Sequence, residues 1–334
     1  MKGQGISTWK ETAITVIFGV IVFSFIAADY IQIHFEIPKV WLNATTIFLS
    51  IVLEALPFVF LGVFASALIQ TFVSENTIQK LIPKNPLIAI IPVALLSALF
   101  PVCECAIIPV VRRLIKKGMP LHLGVIFIVG SPILNPIVFA STYYAFQSTP
   151  GIAYARMFLA LILAILIGFL IHLFYRNHNQ LKWTKNEFLD SSVRVNEKKS
   201  SKLKILMFNA SDEFFDMGKY LIFGTILASL FQTFFDREIL VSLGANDIVA
   251  PLVMMGLGFI LSLCSEADAF VASSFAHTFS TGSLLAFLVY GPMLDIKSSI
   301  MLFAYFRTKF VIGYMIIITL SVYAIILIFQ YLFL

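Results

Sequence analysis

Long apolar runs separated by short polar stretches make up the hydrophobic pattern of the chain. Several runs reach the roughly 20 residues that an α-helix needs to cross about 30 Å of hydrocarbon. The first run occupies residues 13–30 and lacks a small-residue cleavage site, so we expect a retained helix over residues 1–35. The pattern predicts an all-α, polytopic integral membrane protein.

Composition supports the same class. Hydrophobic residues make up 60% of the chain and charged residues 12%, and the mean hydropathy is +0.95, far from the values of soluble proteins. The sequence contains no P-loop, zinc-protease or nucleophile-elbow motif. We therefore expect no enzyme activity and no cofactor.

The chain repeats one series of landmark residues. Each series contains an acidic residue, a cysteine, a proline followed by Asn or Asp, and an arginine. The aligned pairs are Glu54 with Asp216, Cys103 with Cys264, Cys105 with Glu266, Asn135 with Asp295, and Arg156 with Arg307. This recurrence predicts two repeats, over residues 36–177 and 207–334. The proline landmarks, with Asn135 in the first repeat and Asp295 in the second, also predict a break in one helix of each repeat.

A basic segment separates the repeats. Between Arg176 and Lys204 stand eight Lys or Arg residues against three acids. This excess predicts a cytoplasmic loop over residues 178–206, a cytoplasmic N-terminus and residence in the cell membrane. The loop lacks aromatic interleaving and a folded module, so we expect no nucleic-acid binding.

Two segments are too short to cross the bilayer twice. Residues 86–117 and 248–279 each fit a re-entrant hairpin that turns near the membrane midplane, at the cysteines. An arrangement in which both hairpins cross fully, giving ten spans, stays open. We expect about eight transmembrane helices plus the two hairpins.

Charge at the hairpin ends predicts opposite orientations for the repeats. The first hairpin ends in a basic cluster between Arg112 and Lys117, whereas residues 270–279 of the second contain no Lys or Arg. The hairpins would then open to opposite faces of the membrane. Inverted repeats with broken helices are typical of secondary transporters that work by alternating access.

The three cysteines of the chain all lie at the hairpin turns. Cys103 and Cys105 could converge with Cys264 on one soft centre, because thiolates select trivalent arsenic or monovalent copper over hard cations. The alternative is that they pack as small apolar side chains. His122 and His277 lie at predicted membrane edges, where we expect solvation; His277 as a metal ligand is an alternative.

Polar residues within the apolar runs are the other candidates, because an intramembrane charge is costly unless it is paired or functional. For binding of a substrate we select Glu104, Glu266, Asp268, Asn135 and Asp295 beside the cysteines. Candidates for proton coupling or ion pairing are Glu54, Asp216, Lys297, Arg156 and Arg307. Purely structural ion pairs are the alternative.

Three motifs resemble the ArsP-like predicted permease family: Pro101-Val-Cys-Glu-Cys-Ala-Ile-Ile-Pro109, Gly130-Ser-Pro-Ile-Leu-Asn-Pro136 and Cys264-Ser-Glu-Ala-Asp268. The resemblance covers nearly the whole chain except the central loop. It implies a permease of about eight helices. Because some members export trivalent organoarsenicals, it also implies that Cys103, Cys105 and Cys264 are candidate metalloid ligands.

These observations predict a secondary-active permease in the lipid bilayer that exports a small thiophilic solute. A permease for a metal ion or an organic anion is the alternative within the transporter class. A membrane thiol oxidoreductase and a scaffold subunit are alternatives from other classes. A membrane partner subunit or a homodimer is also left open.

Overall fold

The computed structural model describes residues 38–72, 87–99, 103–175, 180–182, 202–234 and 248–333. The chain forms two compact units, Met1–Leu42 and Asn43–Leu334. The predicted N-terminal helix over residues 1–35 lies outside the described residues, as does most of the predicted loop. The features below belong to the second unit, apart from the first turn of the first helix.

The described residues form twelve helices and no β-strand; Leu181 and Phe306 pair in an isolated bridge. The all-α, polytopic fold is therefore confirmed. In chain order the helices are α1 (Lys39–Phe72), α2 (Ile90–Ser97), α3 (Glu104–Lys116), α4 (Leu121–Leu134), α5 (Pro136–Ala145), α6 (Gly151–Tyr175), α7 (Lys202–Phe234), α8 (Val249–Leu261), α9 (Ser265–Ser274), α10 (Thr281–Met293), α11 (Ile296–Tyr305) and α12 (Thr308–Phe333).

Six helical segments in the described part are long and apolar enough to cross a membrane. Two of them are broken helices, α4 with α5 and α10 with α11, and their apolar windows are 78% and 94% buried. The four continuous spans, in α1, α6, α7 and α12, are only 28–39% buried. The broken helices therefore form the core, and the continuous helices present large apolar side chains outward, as a lipid environment requires.

Both predicted helix breaks are present and have a local cause. After α4, Asn135 leaves the helical conformation and accepts a hydrogen bond from the Val138 amide, while Pro136 begins α5. After α10, Asp295 forms a capping box with Ser298. Proline at the first helical position and a side-chain acceptor before it favour a new helix start.

The segments predicted as hairpins each contain two short helices. Their lengths are 8 and 13 residues for α2 and α3, and 13 and 10 for α8 and α9. At about 1.5 Å per residue each arm is shorter than the bilayer core. Each arm packs more extensively on the neighbouring broken helix than on its partner arm. Re-entry into the membrane from opposite faces stays a prediction.

The two halves of the chain are joined by a reciprocal exchange at their broken helices. The half-helix α5 packs on α9, from the second half, and the half-helix α11 packs on α3, from the first half. The helices α3 and α9, which begin at the predicted hairpin turns, are therefore each packed against a half-helix from the other half of the chain. This packing brings polar residues that are far apart in sequence into one buried region.

The crossing of α1 and α3 depends on Gly62, and this contact gives a testable prediction. A Cβ at this position would lie 2.6 Å from backbone atoms of Ala106, so a helix must shift to accept it. We expect Gly62→Ala to lower the stability of the purified protein by about 1–3 kcal/mol. Thermal unfolding in detergent measures this change.

The matched control is Gly218→Ala in α7, where an added Cβ meets nothing within 4 Å. Alanine has the better helix propensity, so this change should be neutral or stabilise by up to about 1 kcal/mol. Equal melting temperatures for both variants would contradict the tight crossing.

Candidate functional site

A buried charge cluster joins the two halves of the molecule. The Lys297 Nζ lies 3.5 Å from Glu104 Oε1 and 3.5 Å from Asp295 Oδ2, and all three side chains are 1–3% exposed. Glu104 is the first residue of α3, Asp295 caps α11, and Lys297 is in the first turn of α11. The packing of α11 on α3 therefore creates the cluster.

Sequence reasoning did not select Ser262, which completes this cluster. Its hydroxyl donates to Asp295 Oδ2 at 3.0 Å and accepts from the backbone amides of Ile296 and Lys297 at 3.1 and 3.4 Å. The residue is fully buried between α8 and α9. A serine before a cysteine carries no distinctive sequence signal, so the sequence alone could not have identified it.

A second polar centre surrounds Arg156 on α6. Its Nη1 donates to Thr142 Oγ1 at 2.6 Å, and its Nη2 donates to the Ser265 carbonyl at 3.1 Å. The guanidinium also interacts electrostatically with Asp268 and Glu266. Asp268 is buried, and its Oδ2 has no hydrogen-bond partner among the described residues. Arg156 thus provides the cation for the first turn of α9.

The helices α3 and α9 begin in the same way. Each has a cysteine at the N-cap, Cys103 or Cys264, without a side-chain capping bond, and each has acidic residues in its first turn. Acidic side chains are favourable there because the N-terminal end of a helix dipole is positive. This arrangement explains why the acids Glu104, Glu266 and Asp268 follow the cysteines so closely.

All three cysteines are free and buried. Lys297 and Glu104 interact electrostatically with both Cys105 and Cys264. Within the described residues, however, no group of three His, Cys, Asp or Glu side chains is arranged to hold a metal ion. A three-thiol metalloid site stays a prediction. In this conformation Cys105 and Cys264 have the same charged neighbours, but the thiols do not form a closed ligand set.

The other residues selected from the sequence fall into two groups, those inside the molecule near the two polar centres and those on its exposed sides. Asn135 is buried but serves as a helix cap, and Glu266 is half-buried beside the Arg156 centre. Glu54 is exposed on α1 and interacts electrostatically with Cys264. Asp216 pairs with Lys219 on the exposed side of α7, and Arg307 is exposed at the start of α12.

Two further polar contacts were not anticipated. Buried Glu213 on α7 accepts a hydrogen bond from Ser66 at 2.8 Å and pairs with Arg113, which ties α7 to α1 and α3. The expectation that His122 is solvated is wrong: it is 5% exposed, and its Nδ1 lies 3.3 Å from the Nδ1 of His172. His277 is exposed, as expected.

The fold and the buried charges define the class: a multi-pass, all-α membrane protein with two broken helices and a buried charged centre where α11 packs on α3. The comparison with known families then identifies it more closely. The model of the predicted permease family ArsP_1 matches residues 40–331, and the chain belongs to this family. The resemblance seen in the motifs is confirmed.

Two relatives are similar over most of their length. UPF0718 protein YcgR of Bacillus subtilis is 45% identical over 84% of this chain and 96% of its own. A Streptococcus mutans protein named as a subunit of a two-component membrane permease complex is 39% identical over 84% of this chain and 92% of its own. No solved structure matches the chain.

Proposed function

We propose that this membrane permease is a secondary-active exporter of a small thiophilic solute, such as a trivalent organoarsenical. The observation that carries the proposal is that all three thiols are buried at the starts of α3 and α9, and that Cys105 and Cys264 share Lys297 as an electrostatic neighbour. Thiolates are soft ligands and prefer such solutes to hard cations.

In this proposal the substrate binds between the two hairpin turns, and the repeats alternate its access to either side of the cytoplasmic membrane. Glu104, Glu266, Asp268, Asn135 and Asp295 complete the site or exchange protons. The chain carries no P-loop motif, so a proton gradient is the simplest source of energy. A buried acid without a hydrogen-bond partner among the described residues, such as Asp268 Oδ2, suits a group that exchanges a proton.

A second candidate is that the chain works as one subunit of a two-component permease. The name of the streptococcal relative supports this candidate, since it describes a subunit of such a complex. A metal ion or an organic anion would be an alternative permeant in either case. A thiol oxidoreductase is less well supported, because buried thiols are poorly accessible to protein partners.

The thiol proposal predicts the outcome of a resistance assay. In a host strain without its own arsenical exporters, the wild-type chain should protect against methylarsenite, and Cys103→Ser/Cys105→Ser should reduce this protection about tenfold or more, because a serine hydroxyl is a hard ligand. Arsenite, copper, zinc and cadmium are tested in parallel to identify the permeant. Efflux from preloaded cells confirms the direction.

The control is Ser229→Ala. Ser229 is a buried residue of α7, and its hydroxyl donates to the Ile226 carbonyl of the same helix. The variant should retain protection. Undiminished protection by the double-serine variant would overturn the thiol proposal. Flux in cells but none from the purified chain in liposomes would favour the two-component candidate.

A further inference from the structure

The position of Ser262 suggests a role beyond local capping. The residue lies between α8 and α9, and its backbone has φ 51° and ψ 40°, the left-handed conformation. Among the described residues, Ser262 is the one residue other than glycine that has a positive φ. A residue other than Gly, Asn or Asp in this conformation is strained and persists only where surrounding contacts hold it.

The contacts that hold Ser262 use the full capacity of its hydroxyl. A serine hydroxyl can donate one hydrogen bond and accept two. The Ser262 hydroxyl donates to the Asp295 carboxylate and accepts from the amides of Ile296 and Lys297. Together with Asp295, which accepts from the Ser298 amide, it satisfies the first amides of α11. The turn after α8 is thereby attached to the start of α11.

The attachment continues across the molecule through charged groups. Asp295 is 3.5 Å from Lys297, and Lys297 is 3.5 Å from Glu104 at the start of α3. Ser262 stands two residues before Cys264, and Glu104 stands between Cys103 and Cys105. A continuous polar chain, from Ser262 through Asp295 and Lys297 to Glu104, therefore links the turn that carries Cys264 to the helix start that carries the other two thiols.

We infer that Ser262 is a positioning residue that couples the two cysteine-bearing turns, so that a change at one is transmitted to the other. In the proposed exporter, on which this role in transport rests, the coupling lets both turns respond together to a bound solute. Ser262 itself need not touch the solute. It acts through Asp295 and Lys297, because it holds the start of α11 against the second turn.

The test measures whether a change at Glu104 reaches Cys264. In a chain whose remaining cysteine is Cys264, made by Cys103→Ser/Cys105→Ser, the rate of maleimide labelling is measured in detergent with and without Glu104→Gln. We expect Glu104→Gln to change the labelling rate about threefold or more, as for residues coupled through a network. In a Ser262→Gly background the same change should alter the rate only about 1.5-fold, which is the part left to the direct electrostatic interaction of Glu104 with Cys264.

Glycine is chosen because it adopts the left-handed conformation without strain, so the variant loses the hydroxyl and keeps the turn. The control is Ser265→Ala, three residues away, which removes a buried hydroxyl without a hydrogen-bond partner in the described structure. It should leave the threefold effect intact. If Ser262→Gly does not fold, Asp295→Asn interrupts the same polar chain at its next member and should reduce the effect to a similar extent.

The inference would be overturned if Glu104→Gln had the same effect in the Ser262→Gly background as with Ser262 intact. Glu104 would then act on Cys264 directly, by its charge alone. No effect in either background would also overturn the inference. The assay needs no transport, so its outcome is separate from that of the proposed function. Coupled labelling without arsenical export would refute the arsenical substrate and leave the role of Ser262 in place.

Discussion

Replacement of Lys297 by Met is expected to cost about 3–5 kcal/mol of stability and to abolish transport. The side chain is 1% exposed and lies between two buried carboxylates, Glu104 and Asp295. Methionine has a similar length and fills the same space, but it leaves both acids without their cation. Removal of one partner from a buried pair is expensive because the remaining charge cannot return to water.

The measurement is thermal unfolding of the purified protein in detergent, together with solute efflux from cells. The matched control is Lys219→Met on α7, whose side chain is 56% exposed and pairs with Asp216; an exposed pair contributes about 1 kcal/mol or less. The double variant Glu104→Gln/Lys297→Met should recover part of the lost stability, since it removes one of the two unpaired acids. Equal losses for Lys297→Met and Lys219→Met would refute the buried cluster.

Replacement of Arg156 by Met should have an effect of similar size, about 3–5 kcal/mol. The guanidinium is fully buried and donates to Thr142 on α5 and to the Ser265 carbonyl at the start of α9. Its loss removes the donor to the Thr142 hydroxyl and the Ser265 carbonyl, and it removes the cation that interacts most strongly with the buried Asp268. Because these bonds join α6, α5 and α9, we expect the contact between the two halves of the molecule to loosen.

The natural control is Arg307→Met, because Arg307 aligns with Arg156 in sequence yet is exposed. Its backbone amide, which is unaffected by the change, makes the bond to the Gln180 carbonyl. We expect a loss below about 0.5 kcal/mol, typical of surface positions. Melting temperatures that fall equally in both variants would contradict the different roles of the two arginines.

The comparison of these arginines shows what sequence alignment can and cannot determine. The recurrence of landmarks identified both residues as candidates, but not which one is buried. Burial depends on what packs opposite each residue: α9 meets Arg156, whereas Arg307 lies in the exposed link between α11 and α12. Of two residues that align between the repeats, one can therefore belong to a buried charged centre while the other lies on the surface.

The family was recognisable from three short motifs, and its identity is confirmed over residues 40–331. The motifs supplied Cys103, Glu104 and Asp268 as candidates, the repeat supplied Asp295, and all four are buried in or next to the charged centre. Ser262 was missed because serine is common in apolar helices and turns. Its importance comes from a left-handed backbone and three hydrogen bonds, which are invisible in a single sequence.

The sequence by itself determined the membrane class, the helical content and both helix breaks. These features depend on local quantities: the length of apolar runs against the bilayer thickness, and the placement of proline and capping residues. The tertiary structure alone decided that Lys297 joins Glu104 to Asp295 and that Arg156 holds the start of α9. Such partners lie in different halves of the chain, and only the reciprocal packing of α11 on α3 and of α5 on α9 brings them together.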